Sequence, residues 1–185
     1  MKINPGIPTP FPHSYWVVPG KLMAGYYPGD MDPKEAEKKL RGLIAAGIRH
    51  VINLMECNEL DWHARPFKNY VQQMAAIASE MNFSVTLERH PVKDMNVPTR
   101  QEMIRILNKI DASIYEGKPV YLHCLGGRGR TGTVVGCYLA RHGKAVGSQV
   151  VEKIKELRRG VPDLHRLSPE TREQVEMVVN WEEGL

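Results

Sequence analysis

The sequence predicts an α/β fold, a single domain with a central mixed, mostly parallel sheet of four to five strands and helices on both faces. Two observations carry this. Short apolar runs at 50–54, 84–88 and 120–122 alternate with longer segments whose apolar residues recur every three to four positions. One of those junctions, at 120–139, passes from strand to helix through a loop with three glycines. Parallel strands need such crossovers, and burial on both faces follows.

The elements follow in order. Pro5, Pro8, Pro10 and Pro12 make residues 1–13 an extended arm rather than a helix. Ser14–Val18 and Lys21–Ala24 read as strands. Asp32-Pro33-x-Glu35 opens a helix with Ala36, Leu40 and Leu43 on one face, ending before Gly47. His50–Leu54 is the next strand. A second helix buries Phe67, Tyr70, Val71, Met74, Ile77, Ala78 and Met81 and precedes the strand at 84–88. A third, begun by Pro98, Thr99 and Glu102 as a capping box, carries Met103, Leu107, Ile110 and Ile114 inward. After Val120–Leu122 come a helix from near Arg130 and another over 147–159. Ser168 as N-cap and Pro169 at the first helical position start the last helix.

Composition bounds the function. The 185 residues are 42% hydrophobic with net charge +4, long enough for one buried core. The N-terminus opens no apolar stretch and no run approaches the ~20 apolar residues of a membrane span, so no signal peptide and a cytoplasmic location are expected. Cys57, Cys124 and Cys137 give neither a disulfide framework nor metal spacing, and no cofactor or metal is expected. The mild basic excess favours polyanionic substrates. No basic run with interleaved aromatics predicts a nucleic-acid groove, and a monomer is the default.

The chemistry concentrates in Val120-Tyr-Leu-His-Cys-Leu-Gly-Gly-Arg-Gly-Arg-Thr-Gly-Thr133. Gly126, Gly127 and Gly129 permit positive φ, so successive N–H groups can converge on one oxyanion, and the following helix adds the positive end of its dipole. Cys124 lies where that field is strongest, and its thiol is expected well below the ordinary ~8.5. Arg130 offers a planar fork for two phosphate oxygens. Attack by Cys124 on phosphorus gives a cysteinyl-phosphate, and the Thr131 hydroxyl can serve the departing sulfur. Gly127-x-Gly129-x-x-Gly132 also matches a dinucleotide fingerprint, but helical spacing over 147–159 replaces the acid-ended strand such a unit needs. No Gly-Lys-Ser/Thr follows for a nucleotide P-loop. A buried structural cysteine would need neither the glycines nor Arg130.

His123-Cys124-x5-Arg130-Thr131 resembles the signature of the protein tyrosine phosphatase superfamily, in its small dual-specificity branch. The resemblance implies a domain over 1–185 in which Cys124 is the nucleophile and Arg130 binds phosphate and transition state. Thr131 would assist the second step and His123 tune Cys124, with Leu125, Gly126, Gly127, Arg128, Gly129 and Arg130 lining the phosphate site. A leaving alkoxide needs a proton, and Asp94, on the connection between the strand at 84–88 and the Thr99 helix start, is the candidate. The family likewise places an acid about thirty residues before the cysteine. An ordinary turn aspartate is the alternative. Gln174 takes, from the resemblance alone, the role of positioning the hydrolytic water.

Three further readings concern specificity and control. Cys57 follows a strand that can end on the same sheet edge as Cys124, making it a candidate redox partner, against an unpaired loop cysteine. Arg128 is expected to reach the pocket rim and attract a second phosphate. Phosphoinositide phosphatases of the superfamily, however, also tend to carry a basic residue where this chain has Leu125. Asn58, Glu59, Asp61, His63 and Arg65 form a polar loop that lines the pocket or is simply solvated. The expected function is phosphomonoester hydrolysis, on phosphotyrosine and phosphoserine or phosphothreonine in proteins. Phosphoinositides, inositol phosphates or RNA 5′ phosphates are the alternative substrates, and a noncatalytic phosphate-binding module is the other class.

Overall fold

The computed structural model describes residues 8–61 and 63–185. Five strands, β1 (Ser14–Val18), β2 (Leu22–Gly25), β3 (His50–Asn53), β4 (Thr86–Arg89) and β5 (Val120–His123), form one sheet in the order β1-β2-β5-β3-β4. β2, β5, β3 and β4 run parallel, and β1 pairs antiparallel with β2 at the edge. The expectation of a mixed, mostly parallel sheet of four to five strands with helices on both faces holds. Helices are α1 (Pro33–Ala45), α2 (Val71–Glu80), α3 (Arg100–Tyr115), α4 (Gly129–Arg141), α5 (Gln149–Leu157) and α6 (Arg172–Val179). None of the described helices is long and apolar enough to cross a membrane.

The two-residue alternation of each strand divides the core into two layers. Tyr15, Val17, Leu22, Ala24, Ile52, Leu54, Val120 and Leu122 pack toward α3, α4, α5 and α6. Trp16, Met23, Val51 and Tyr121 pack on the opposite face with Leu40, Leu43 and Ile44 of α1 and Met74 and Ile77 of α2. α4 is the central helix, with Val134, Val135, Cys137, Leu139 and Ala140 all buried. Its Gly136 admits α6: a Cβ there would lie 2.5 Å from Val178 Cγ1. Cys137 is core packing, and burial pushes its thiol far above the ordinary range.

Local signals set most boundaries. Asp32 caps α1 by accepting from Lys34 N at 2.9 Å. The Thr99–Glu102 capping box at α3 is formed in both directions. Three expectations are corrected. α2 begins at Val71, leaving Phe67 before it, and Val71 is exposed. The strand expected over 84–88 is Thr86–Arg89. Ser168 is not the cap of the last helix: Thr171 is, through a capping box with Gln174, while Ser168 Oγ instead donates to Arg128 O at 3.0 Å. Pro8, Pro10 and Pro12 lie outside any helix or strand; Pro5 lies outside the described residues.

Candidate active site

The parallel register His50↔Val120 through Asn53↔His123 brings the ends of β3 and β5 out on one edge, where open parallel sheets place their sites. Three connections meet there: β5 to α4, β3 to α2, and β4 to α3. The first is the glycine loop. Only Gly127 takes a positive φ, +68°, and a Cβ there would lie 2.5 Å from Gly25 C and 2.6 Å from Gly25 O, so the loop presses on the β2 backbone and tolerates no side chain. The expectation of positive φ at Gly126 and Gly129 is not met. Gly129 is already the first residue of α4, so the helix N-terminus faces the loop.

Cys124 follows β5 at the floor of this loop, 3% exposed. Beside it His123 is wholly buried on the other face of the sheet, in edge contact with Tyr70 and Tyr27 and stacked on Tyr121. Its Nδ1 lies 2.9 Å from Cys124 O and its Nε2 2.5 Å from the Tyr70 hydroxyl. A carbonyl only accepts, so Nδ1 carries the proton and Nε2 accepts from Tyr70. Burial is the main cause that pushes the His123 pKa down to about 3, and the Arg89 and Arg130 charges add to it. His123 is therefore a neutral brace for the Cys124 carbonyl.

Arg130 is 2% exposed and its guanidinium is held on two sides. Nη1 donates to Glu59 Oε1 and, at 3.0 Å, to Val92 O. Nη2 donates to Glu59 Oε2 at 3.0 Å and lies 2.9 Å from Asp94 Oδ1. Burial alone would lower its pKa, but Glu59, the Cys124 sulfur and Asp94 outweigh it and raise it. Arg130 Nε and Thr131 Oγ1 are buried and unpartnered among the described residues. Two unspent donors at the loop beside a buried sulfur suit a tetrahedral oxyanion.

Asp94 sits in a tight turn, Asn96 N donating to Lys93 O at 3.1 Å, with Met95 at φ +62°. Its side chain is 58% exposed although one oxygen meets Arg130. Thus Asp94 meets Arg130, whose guanidinium also feels the Cys124 sulfur, and Thr131 follows Arg130 in α4. Gln174 joins them from α6: its Nε2 donates to Asn96 O at 3.0 Å.

Other expected residues fall differently. Arg128 does not project to the rim: it is held by Asp163 Oδ2 at 3.3 Å and Glu170 Oε1 at 2.9 Å, its side chain 13% exposed. Those carboxylates neutralise the charge expected to attract a second phosphate. Cys57 is exposed in a cleft of about 180 Å³ with Tyr70 and Arg89, on the same sheet edge as Cys124, and both thiols are free. In the polar loop Glu59 reaches Arg130, whereas Asp61 is occupied by Arg65 at 2.7 Å. A second cleft of about 290 Å³, lined by Tyr26, Tyr27, Phe67, Lys68 and Leu125, opens against Gly126. Sequence reasoning gave no sign of the Tyr70 brace or the Asp163–Glu170 clamp, because both join segments far apart in the chain. Among the described residues no cluster of His, Cys, Asp or Glu could hold a metal.

A cysteine and an arginine six residues apart, at the two ends of a glycine-rich loop joining a central parallel strand to a buried helix, define the Cys-x5-Arg class. Residues 28–144 match the family described as "Polymorphic toxin system, DSP-PTPase phosphatase", and the chain belongs to it, within the small dual-specificity branch of the protein tyrosine phosphatase superfamily. Over 131 residues it is 31% identical to phosphatidylglycerophosphate phosphatase PTPMT2 of Arabidopsis thaliana, covering 70% of this chain and 50% of that one. The chain spans about half the length of the curated relatives it matches. Among solved structures it resembles Tk-PTP in the active form, with TM-score 0.70, 23% identity and coverage of 95% of this chain and 99% of that one. It also resembles PTPMT1 in complex with PI(5)P, with TM-score 0.65, 19% identity and coverage of 91% and 94%. At those identities the likeness is one of fold.

Proposed function

We propose that this chain is a metal-independent phosphomonoester hydrolase working through a cysteinyl-phosphate. The observation that carries the reading is the meeting of Asp94 with Arg130 above the loop that begins at the buried Cys124. Binding an anion needs the guanidinium and the amides; it needs neither a sulfur at their focus nor an acid beside them. Cys124 attacks phosphorus as the ester oxygen leaves, and Asp94 gives that oxygen its proton. Arg130 and the loop amides hold the equatorial oxygens, where charge is greatest. Water then hydrolyses the thiophosphate ester, with Thr131 donating to the sulfur and Asp94 accepting the water's proton. His123 holds the Cys124 carbonyl without adding charge.

For substrate, the exposed position of Asp94 and the aromatic cleft beside Gly126 support an aryl leaving group, phosphotyrosine in proteins first. A lipid phosphate monoester is the second reading, supported by the similarity to PTPMT2. The neutralised Arg128 counts against headgroups with several phosphates.

The test is Cys124→Ser with an aryl phosphate. Turnover should vanish while the urea midpoint stays near that of the parent, and rapid quench of the parent with ³²P-labelled substrate should trap label on Cys124. Retained turnover by the serine variant would refute the reading. A panel of phosphotyrosine peptides and phosphatidylglycerophosphate vesicles then separates the two substrate classes.

A further inference from the structure

Gln174 is the third residue of α6, wholly buried, and its carboxamide is used at both ends. Oε1 accepts from Glu170 N at 3.0 Å and from Thr171 N at 3.2 Å, which occupies both lone pairs. Nε2 donates to Asn96 O at 3.0 Å. Two backbone N–H groups at one end and a carbonyl at the other fix which end is oxygen, since the reverse would oppose donor to donor and acceptor to acceptor. The side chain also lies against the phosphate loop: a Cβ on Gly129 would stand 3.1 Å from Oε1 and 3.2 Å from Nε2.

Asn96 closes the turn that bears Asp94. That turn holds Met95, a non-glycine residue, in the left-handed region, a conformation that persists only where neighbours over-determine it. Its side-chain ties are the Asp94–Arg130 pair and the Gln174–Asn96 bond. We propose that Gln174 is a positioning residue for Asp94, anchoring the acid-bearing turn to α6 and the phosphate loop through the Asn96 carbonyl. This rests on the phosphatase reading above. It replaces the expected water-positioning role, because the oxygen that would accept from a water is already filled by Glu170 and Thr171.

The test compares Gln174→Met, which keeps length and loses the tether, with Gln174→Glu, which keeps the acceptor for both cap N–H groups but sets a carboxylate against the Asn96 carbonyl. A general acid contributes ~10²–10⁴-fold, so a misplaced one should slow phenyl phosphate about tenfold and spare 2,4-dinitrophenyl phosphate, whose leaving group needs no proton, within about twofold. Both variants should show this split in kcat/KM, which reads the first chemical step alone. In the Asp94→Asn background, Gln174→Glu should add no further loss on phenyl phosphate. Parent-like kcat/KM on both esters with a lowered kcat and a burst of phosphoenzyme would overturn the proposal in favour of a water-positioning role. Parent-like rates on both esters with a lowered urea midpoint would reduce Gln174 to a helix cap. A parent enzyme that turns over neither ester would instead sink the phosphatase reading itself.

Discussion

Glu59 grips Arg130 with both carboxylate oxygens, Oε1 on Nη1 and Oε2 on Nη2 at 3.0 Å. The pair leaves the guanidinium's Nε turned elsewhere and, among the described residues, unpartnered, so the edge that Glu59 does not cover is the one able to meet an oxyanion. A two-pronged pair fixes the plane of the fork as well as its position.

Replacing Glu59 by Gln should therefore loosen Arg130 while leaving its charge in place. Loss of one oriented contact on the order of 1.4 kcal/mol in the transition state corresponds to a tenfold fall in kcat/KM for an aryl phosphate. Steady-state kinetics beside a urea titration check this. Undiminished kcat/KM would show that Val92 O and Asp94 orient the arginine without Glu59.

Gly127 predicts a steeper response. Ala at φ +68° carries a left-handed penalty of about 1–2 kcal/mol, and its Cβ would meet the Gly25 backbone at 2.5 Å, which cannot yield as a side-chain tip would. Gly127→Ala should lower the urea midpoint and abolish most turnover by shifting the loop amides. Gly47→Ala has φ +94° with nothing within 4 Å, and should lower stability alone. Comparable activity losses in the two variants would refute the close-approach argument.

What the sequence makes legible is what short range determines. The strand, glycine loop and helix around Cys124 lie within twenty residues, as do Asp94 and the capping box that follows it, and both appear where expected. The last helix shows the limit: Ser168-Pro169 offers a helix start by composition, but Thr171 with Gln174 satisfies more backbone donors and wins. Glu59 and Tyr70 reach their partners across 71 and 53 residues, and no local period encodes such contacts. Arg128 was legible as a loop cation, yet its availability depends on Asp163 and Glu170, which arrive from the segment between α5 and α6.

His123 predicts how stability follows pH. Its folded pKa, about 3, lies below the unfolded value near 6.5, so between those limits the unfolded chain binds a proton that the folded chain refuses. The stability of the neutral, buried imidazole is thus complete above pH 6.5 and is lost as pH falls toward 3, by about 2 kcal/mol from pH 6.5 to 5. Burial also lowers His50, in the same direction. Urea midpoints should drop between pH 7 and 5, and His123→Asn should flatten that slope by close to one proton. A slope unchanged by the substitution would mean that His123 titrates normally in the fold.

Asp94 gives a kinetic counterpart. Asn in its place retains size and a side-chain oxygen for Arg130 but supplies no transferable proton, so the leaving group must depart as an anion. Phenyl phosphate, with a poor leaving group, should lose about 10²-fold in kcat/KM. 2,4-Dinitrophenyl phosphate should lose far less. The plot of log kcat/KM against leaving-group pKa should steepen accordingly. Parallel losses on every ester would move the proton donor elsewhere on this sheet edge, with His90, which opens the same loop, the next residue to replace.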